Sequence, residues 1–343
     1  MGPVLTSLVD RWLGGSPALI ILDEASVAVA REAARAAGAA AGLDTVVRER
    51  LAAVISELGH NQRRHAGGGA IALRPVQRCG VAGVEIVAAD RGPGIADPAR
   101  ALSGSLAGVS ERGLGVGLSA VLRQSDEVDL DVRVGGGTCV RARIFAATVP
   151  RSEIGIIGRA GPSDPISGDD ALAVRDGDHL LVAVADGLGH GPAARDAAAR
   201  AVAALLDNPA DSLPELLARC DTRLTGTRGA VLSVARLELG RGLLEHAAIG
   251  NVATRVVSAD GASRPLLAQN GTIGVGQARK RHHVETMAFA PPQLLIMVTD
   301  GVVTRVDLSQ DLVLLRQHPM VIADALLTRF GRGTDDATVL VAR

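Results

Sequence analysis

Four acidic positions in the second half of the chain combine a residue type and a placement that could bind metal ions. Each adjoins an apolar run typical of a strand: Asp169-Asp170, Asp186-Gly187, Asp300-Gly301 and Asp335-Asp336. Carboxylates at strand ends can meet at one edge of a layered sheet, and their hard oxygen atoms suit Mg²⁺ or Mn²⁺. An Asp-Gly pair alone marks a turn more often than a metal site. Its recurrence at strand ends favours a metal site here.

A second constellation, in the first half, could bind a nucleotide. Glu57 and Asn61 stand four residues apart on a predicted helix, so both side chains leave from one face and can reach the same ligand. Asp90 ends an apolar run and begins the pattern D-x-G-x-G with Gly92 and Gly94. Because glycine has no side chain, the backbone at these two positions can approach a ligand closely.

Two glycine-containing segments complete this pattern. Gly113, Gly115 and Gly117 form G-x-G-x-G ahead of a predicted helix, whose free N–H groups favour phosphate. Thr138 follows a glycine at the start of the last predicted strand of this half. Each piece alone is more often a turn or a solvated helix face. The order of all the pieces along the chain is much more specific.

The first-half residues require a sheet with helices against it. A helix is predicted over 23–41, and Leu51, Val54, Ile55 and Leu58 give a second helix its apolar stripe. Strands are predicted at 71–76, 84–89, 128–134 and 139–145, and a further helix at 118–123. This pattern predicts an α/β sandwich, of the mixed α+β kind.

The second half has its own elements and shows no repeat of the first. Strands are predicted at 179–185, 230–237, 244–249, 294–299 and 337–341, and helices at 192–206, 213–223 and 321–330. Proline, glycine and serine between 148 and 167 indicate a domain junction. We predict an extension over 1–16 with no assigned role, a first domain over 17–149 and a second over 151–343.

Composition narrows the possible partners. The 343 residues include no Tyr, one Trp and three Phe, so stacking surfaces for single-stranded nucleic acid are scarce. A net charge of −1 offers no electrostatic footprint for DNA. The three cysteines suggest neither a disulfide framework nor a zinc site, and no segment reads as a membrane span. We expect a soluble cytoplasmic protein that binds neither nucleic acid nor membrane.

The nucleotide pattern resembles the Bergerat-fold (GHKL) ATPases, and within them the anti-sigma switch kinases of stress responses, over about residues 17–149. The resemblance implies that Asp90 accepts a hydrogen bond from the adenine amino group of ATP. It implies that Asn61 ligates the Mg²⁺ on the phosphates and that Glu57 is a general base for a protein serine. The implied nucleotide-binding residues are Asn61, Asp90, Gly92, Gly94, Gly113, Gly115, Gly117 and Thr138.

The acidic pattern S-G-D-D, A-D-G-L-G-H-G, T-D-G and D-D-A-T resembles the bacterial sporulation and stress-response branch of the type 2C metal-dependent phosphatases, over 151–343. The resemblance implies an α-β-β-α sandwich and two Mn²⁺ or Mg²⁺ ions bridged by Asp186. Asp169 and the Gly187 carbonyl would serve one ion, and Asp300 and Asp335 the other. Motif position favours the first aspartate of each Asp-Asp pair, and Asp170 and Asp336 stay open as alternatives.

One departure from the larger eukaryotic-type members concerns substrate binding. Those members carry a phosphate-binding arginine and a histidine directly after the first Asp-Gly. Here Leu188 stands in the histidine's place and His190 follows two residues later. His190 is expected to be a turn residue, and a role as general acid stays open as the alternative.

Joined in one chain, the two resemblances predict a partner-switching regulator. It would phosphorylate and dephosphorylate a serine or threonine of a small antagonist protein of the STAS type. A first alternative keeps the phosphatase and makes the first domain a non-catalytic module that binds or senses ATP. A second alternative is a scaffold with inactive sites.

Overall fold

A computed structural model describes residues 8–103, 116–275, 282–304 and 307–343. The chain divides into two compact units, Met1–Glu153 and Ile154–Arg343. None of the helices in these described ranges is long and apolar enough to cross a bilayer.

The first unit contains five helices and five strands in its described part. The helices are α1 (Leu8–Leu13), α2 (Glu24–Ala40), α3 (Thr45–Asn61), α4 (Pro98–Ser103) and α5 (Val116–Gln124). The strands are β1 (Ala18–Ile21), β2 (Gly69–Arg78), β3 (Val81–Asp90), β4 (Glu127–Arg133) and β5 (Gly137–Phe145). They lie in the order β1-β2-β3-β5-β4, and every neighbouring pair is antiparallel. The predicted mixed α/β sandwich is confirmed.

Local sequence explains where the two long helices begin. The Asp23 side chain accepts a hydrogen bond from the Ser26 backbone, and the Ser26 hydroxyl accepts one from the Asp23 backbone, which caps α2. The Asp44 carboxylate accepts from the Val47 N–H and caps α3 in the same way. A π-helical turn over Gln62–Ala66 follows α3 directly.

The short helix α1 lies on one face of the first-unit sheet. Trp12 is buried against Ala70, Val87 and Cys139, and its Nε1 donates to Asp131 Oδ2 at 2.8 Å. No role could be predicted for residues 1–16, because one and a half turns of helix carry no periodic signal. Tertiary burial of the one tryptophan holds this segment.

Charged side chains are buried on the same sheet. Arg143 reaches Glu85 at 2.8 Å, Asp129 at 2.7 Å and Glu127 at 3.4 Å, and all four side chains are less than a tenth exposed. Burial disfavours the charged carboxyl of Glu85, but the positive charges of Arg143, Arg141 and Arg74 outweigh it and lower the pKa. The negative charges of these carboxylates are therefore compensated by arginine side chains within the unit.

The second unit is a four-layered sandwich, as its resemblance predicted. Its strands are β6 (Ile154–Arg159), β7 (Asp169–Asp176), β8 (His179–Gly187), β9 (Ala230–Glu238), β10 (Leu243–Ile249), β11 (Ala253–Val257), β12 (Ser263–Pro265), β13 (Glu285–Ala288), β14 (Leu294–Val298) and β15 (Ala337–Ala342). Its helices are α6 (Pro192–Leu206), α7 (Leu213–Arg223), α8 (Leu312–Leu315) and α9 (Pro319–Phe330).

The layers follow from two sheets and the helices that cover them. One sheet has the order β13-β10-β9-β8-β7, and α6 and α7 cover it; strands β6-β15-β14-β11-β12 form the other, which α9 covers. Val182 and Val184 of the first sheet meet Leu295 and Leu340 of the second in the apolar layer between them. The predicted α-β-β-α arrangement is confirmed.

Candidate active sites

A cavity of about 420 Å³ lies in the first unit, between α3, α5 and the ends of β3 and β5. Five of the residues predicted to bind nucleotide line it: Asn61, Asp90, Gly94, Gly117 and Thr138. Apolar side chains such as Leu58, Ile95 and Val140 provide much of the remaining wall. A largely apolar cavity with a few converging polar groups is typical of a site for a planar base.

Asp90 is the acidic group of this cavity. It is the last residue of β3, and its Oδ1 accepts a hydrogen bond from the Gly92 N–H at 2.8 Å. Burial raises the pKa of its carboxyl, while hydrogen bonds from the backbone of Gly92 and Thr138 and the charge of His65 oppose the rise. These two N–H groups fix the carboxylate, which can accept a hydrogen bond from an exocyclic amine.

Asn61 and Gly117 touch across the cavity. A Cβ at Gly117 would lie 2.7 Å from Asn61 Oδ1 and 2.9 Å from its Nδ2, so only glycine leaves the amide in place. Gly92 is similarly confined, since a Cβ there would lie 2.8 Å from Ala66 Cβ. The predicted residues Gly113 and Gly115 lie outside the described residues.

Glu57 stands apart from this group. It lies one turn before Asn61 on α3 and is half-buried, but it is not among the side chains that line the cavity. Within the described ranges its carboxylate forms no hydrogen bond or ion pair. The structure therefore brings together the adenine and metal positions of the prediction, but not the general base.

In the second unit, strand register brings two of the predicted metal ligands together. β7 and β8 are antiparallel, with Asp169 directly opposite Asp186. Directly opposed residues project from the same face of a sheet. That face points to the other sheet, where the Thr299 hydroxyl donates to Asp169 Oδ2 at 2.7 Å.

The neighbouring Asp170 points to the opposite face. It is fully buried, and its Oδ2 lies 3.5 Å from Nη2 of Arg195 on α6. Successive side chains of a strand alternate between faces, so Asp169 and Asp170 cannot share a ligand. The geometry supports Asp169 as the ligand of this pair and gives Asp170 a structural ion pair.

Asp300 and Asp335 complete the acidic group. Burial and then the negative charges of Asp169, Asp300, Asp335 and Asp336 raise the pKa of Asp186. Burial likewise raises the pKa of Asp169, against the hydrogen bond from Thr299. Several carboxylates that hold each other's pKa up need a cation to be ionised together.

Asp335 and Asp336 differ in what they contact. Asp336 is buried, and its two carboxylate oxygens accept the N–H groups of Gly161 at 2.7 Å and Gly168 at 2.6 Å. Asp335 is exposed, and among the described residues its carboxylate accepts only the Asp336 N–H, at 2.9 Å. Asp335 therefore has the freer carboxylate of the pair.

The fit of metal ions can be judged from these groups. Among the described residues no three acidic, histidine or cysteine side chains are grouped tightly enough to complete a metal site by themselves. Mg²⁺ keeps several waters and is commonly held by one or two carboxylates, so facing pairs with a carbonyl are sufficient. Gly187 can offer that carbonyl. A Cβ added at this position would lie 2.0 Å from the Ala194 carbonyl oxygen, so only glycine fits there. Hard oxygen donors with uncompensated charge fit Mg²⁺ or Mn²⁺.

Two residues that hold this site were missed from the sequence. Thr299 precedes Asp300 and fixes Asp169, and Asn251 Nδ2 donates to Asp300 Oδ2 at 2.9 Å. Asn251 lies in a bend between β10 and β11. No spacing signal links Asn251 to Asp300, because the antiparallel pairing of β11 with β14 brings them together.

Comparison with known proteins agrees with the families predicted for both halves of the chain. A family model described as "Histidine kinase-like ATPase domain" matches residues 21–144, and one described as "Stage II sporulation protein E (SpoIIE)" matches 176–343. The serine/threonine-protein kinase RsbT of Bacillus subtilis (strain 168) is 35% identical over 122 residues, 36% of this chain and 90% of RsbT. The phosphoserine phosphatase RsbX of the same organism is 30% identical over 138 residues, 40% of this chain and 67% of RsbX.

Two solved structures each resemble a little more than half of the chain. One comes from work on the bacterial stressosome, described as a modular system adapted to control secondary messenger signalling. It is 29% identical to this chain with a TM-score of 0.53, and the match covers 57% of this chain and 100% of that one. RsbX in complex with magnesium is 23% identical with a TM-score of 0.50, covering 56% and 94%, and shows the fold alone. The chain thus belongs to the RsbT-like family of histidine kinase-like ATPase domains in its first unit and to the SpoIIE-type phosphatase family in its second.

Proposed function

We propose that this protein is a partner-switching regulator whose second unit hydrolyses phosphoserine or phosphothreonine on a STAS-type antagonist protein. The observation that carries the proposal is the opposed pair Asp169 and Asp186, with Asp300 and Asp335 close enough to raise the pKa of Asp186. The kinship with a phosphoserine phosphatase supports the substrate class. Its bacterial relatives support an anti-sigma pathway as the setting.

The residues of the second unit would each have a defined task. Asp186 would bridge two Mg²⁺ or Mn²⁺ ions, with Asp169 and the Gly187 carbonyl on one and Asp300 and Asp335 on the other. Bound there, such ions supply a water of lowered pKa and neutralise charge on the phosphate. Thr299 and Asn251 would keep Asp169 and Asp300 in position through their hydrogen bonds.

The first unit would bind Mg-ATP and phosphorylate the same class of protein. Asp90 would accept the adenine amine while Thr138 and the glycines at 92 and 94 line the base. Asn61 would ligate Mg²⁺, and Gly113, Gly115 and Gly117 would hold the phosphates. Glu57 would take the proton of the attacking serine hydroxyl.

Separate loss of the two functions tests the two-site proposal. Asp300→Ala should abolish Mn²⁺-dependent hydrolysis of a phosphorylated STAS protein and leave ATP binding unchanged. Asp90→Ala should do the reverse, and Asp260→Ala, in an exposed turn, should change neither. Loss of both functions from either site variant would contradict two independent sites.

The kinase step needs its own test, because the position of Glu57 also suits a second function. A side chain outside the cavity lining favours a first unit that binds or senses ATP without transferring phosphate. The Asp186→Ala chain, silenced as a phosphatase, should transfer phosphate from Mg-ATP to STAS proteins, measured by mobility shift. Adding Glu57→Ala should stop transfer, whereas Glu49→Ala, on an exposed part of α3, should not. ATP binding without transfer to any bound candidate would favour the sensing module.

A further inference from the structure

Strand pairing places one arginine beside the metal-site loop of the second unit. β8 and β9 are antiparallel, with Gly187 opposite Ala230. The pairing runs on past the strands, because the Leu188 N–H donates to the Gly229 carbonyl at 3.0 Å. The next residue pair in this register is Gly189 and Arg228.

The segment that carries Arg228 is held in one conformation. The Thr227 hydroxyl donates to the Leu224 carbonyl at 2.7 Å and accepts the Gly229 N–H at 3.0 Å. Gly229 has a φ of +82°, which suits glycine. The backbone on both sides of Arg228 is thus fixed while its side chain is exposed.

The guanidinium lies directly on the loop that follows Asp186. A Cβ built on Gly189 would be 2.9 Å from Arg228 Nη1, so the arginine occupies the space that any other residue at 189 would need. Within the described ranges Arg228 forms no ion pair or hydrogen bond. Some other exposed arginines of this unit do, as Arg223 does with Asp207 at 2.5 Å.

Among the described residues this cation has no partner, and the loop that it contacts follows Asp186 of the acidic site. A phosphate group that approaches Asp186, Asp300 and Asp335 carries charge of the same sign as these carboxylates. A guanidinium at the rim offsets that repulsion, and its planar fork can donate two parallel hydrogen bonds to phosphate oxygens. Leu188, at the place where the larger eukaryotic-type phosphatases carry a histidine, has no such donor.

We propose that Arg228 binds the phosphate group of the substrate at the rim of the acidic site. The inference rests on the proposed phosphatase function and adds to it the residue that recognises the phosphate. Arg228 makes no bond to the metal ions and takes no part in proton transfer. Its loss should therefore weaken phosphate binding more than it slows turnover.

The test uses the full chain with Mn²⁺ and two probes, p-nitrophenyl phosphate for turnover and inorganic phosphate for binding by calorimetry. Arg228→Ala should raise both the KM and the phosphate Kd by about 10- to 100-fold, as expected for lost hydrogen bonds to a charged group. The kcat should fall by less than about threefold. Arg228→Lys should recover part of the affinity, because it keeps the charge without the fork. Arg241→Ala, at an exposed arginine of the β9–β10 turn, is the matched control and should resemble the parent.

The two readouts separate this inference from the phosphatase proposal. If the parent binds Mn²⁺ and phosphate without hydrolysing the ester, and Arg228→Ala weakens phosphate binding, the phosphatase proposal fails and the role of Arg228 stands. An unchanged phosphate Kd in Arg228→Ala, or a Mn²⁺-loaded parent that binds no phosphate, would overturn the role of Arg228.

Discussion

Replacing Asp335 and Asp336 separately by asparagine should separate a metal ligand from a structural acid. The two substitutions remove the same charge and are nearly isosteric. At position 336 the carboxylate accepts two backbone N–H groups, at 2.7 and 2.6 Å, in a buried position. Asparagine keeps one acceptor and turns an NH₂ group toward the other donor, so one charge-assisted hydrogen bond is lost and a buried N–H is left unpaired.

We expect Asp336→Asn to lower the free energy of unfolding by about 2–4 kcal/mol, from the lost bond and the unpaired donor. Relief of its repulsion of Asp169 and Asp186 returns a part of that cost. Asp335→Asn gives similar relief but loses only a bond at an exposed position, so its unfolding free energy should stay within about 1 kcal/mol of the parent. Its Mn²⁺-dependent hydrolysis should be lost.

Urea unfolding followed by circular dichroism, with Mn²⁺-dependent hydrolysis of p-nitrophenyl phosphate, measures both quantities. The difference between the two variants in unfolding free energy and in activity is more informative than either variant alone, because both substitutions remove the same charge. An active Asp335→Asn protein, or equal destabilisation by the two changes, would refute the assignment of Asp335 as ligand and Asp336 as structural acid.

Four further changes test other parts of the structure. Gly117→Ala should weaken ATP binding about tenfold in calorimetry, because the new Cβ displaces the Asn61 amide. Arg143→Ala should cost about 3–5 kcal/mol of unfolding free energy in urea, since it strands buried carboxylates. Burial lowers the pKa of His246 to about 4, so the parent should lose about 3 kcal/mol more stability than His246→Gln as pH drops from 6.5 to 4. Asp186→Asn should raise the thermal midpoint measured in chelator and remove its increase with Mn²⁺.

Sequence patterns predicted the elements whose signals are local. The apolar stripe of α3, and the apolar runs of β8 and β14, lie within a few residues of where they were expected. β7 was missed, because its apolar run over 171–174 is only four residues long and charged residues stand on both sides of it. β11, β12 and the edge strand β13 were also missed, because they are only three to five residues long and include polar residues.

The candidate site was predictable only as far as motifs reach. Asp169, Asp186, Asp300 and Asp335 stand in recognisable patterns, and β-sheet register explains why the first two face each other. Their supporting groups have no motif. Asn251 meets Asp300 and Arg228 meets Gly189 through antiparallel pairing of distant segments, which no local spacing specifies.

The two buried acidic clusters of this chain show how charge balance separates structure from function. In the first unit, Arg143 contacts three carboxylates at once, so the charges are compensated within the protein and burial can be tolerated. In the second unit, Asp169 and Asp186 have no cationic side chain against their carboxylates among the described residues, and burial and mutual repulsion raise both pKa values. Such a pair destabilises the folded protein unless a cation from solution binds there. Burial of these two charges does not stabilise the fold. We therefore expect cations to bind at this uncompensated cluster and not at the larger, ion-paired one.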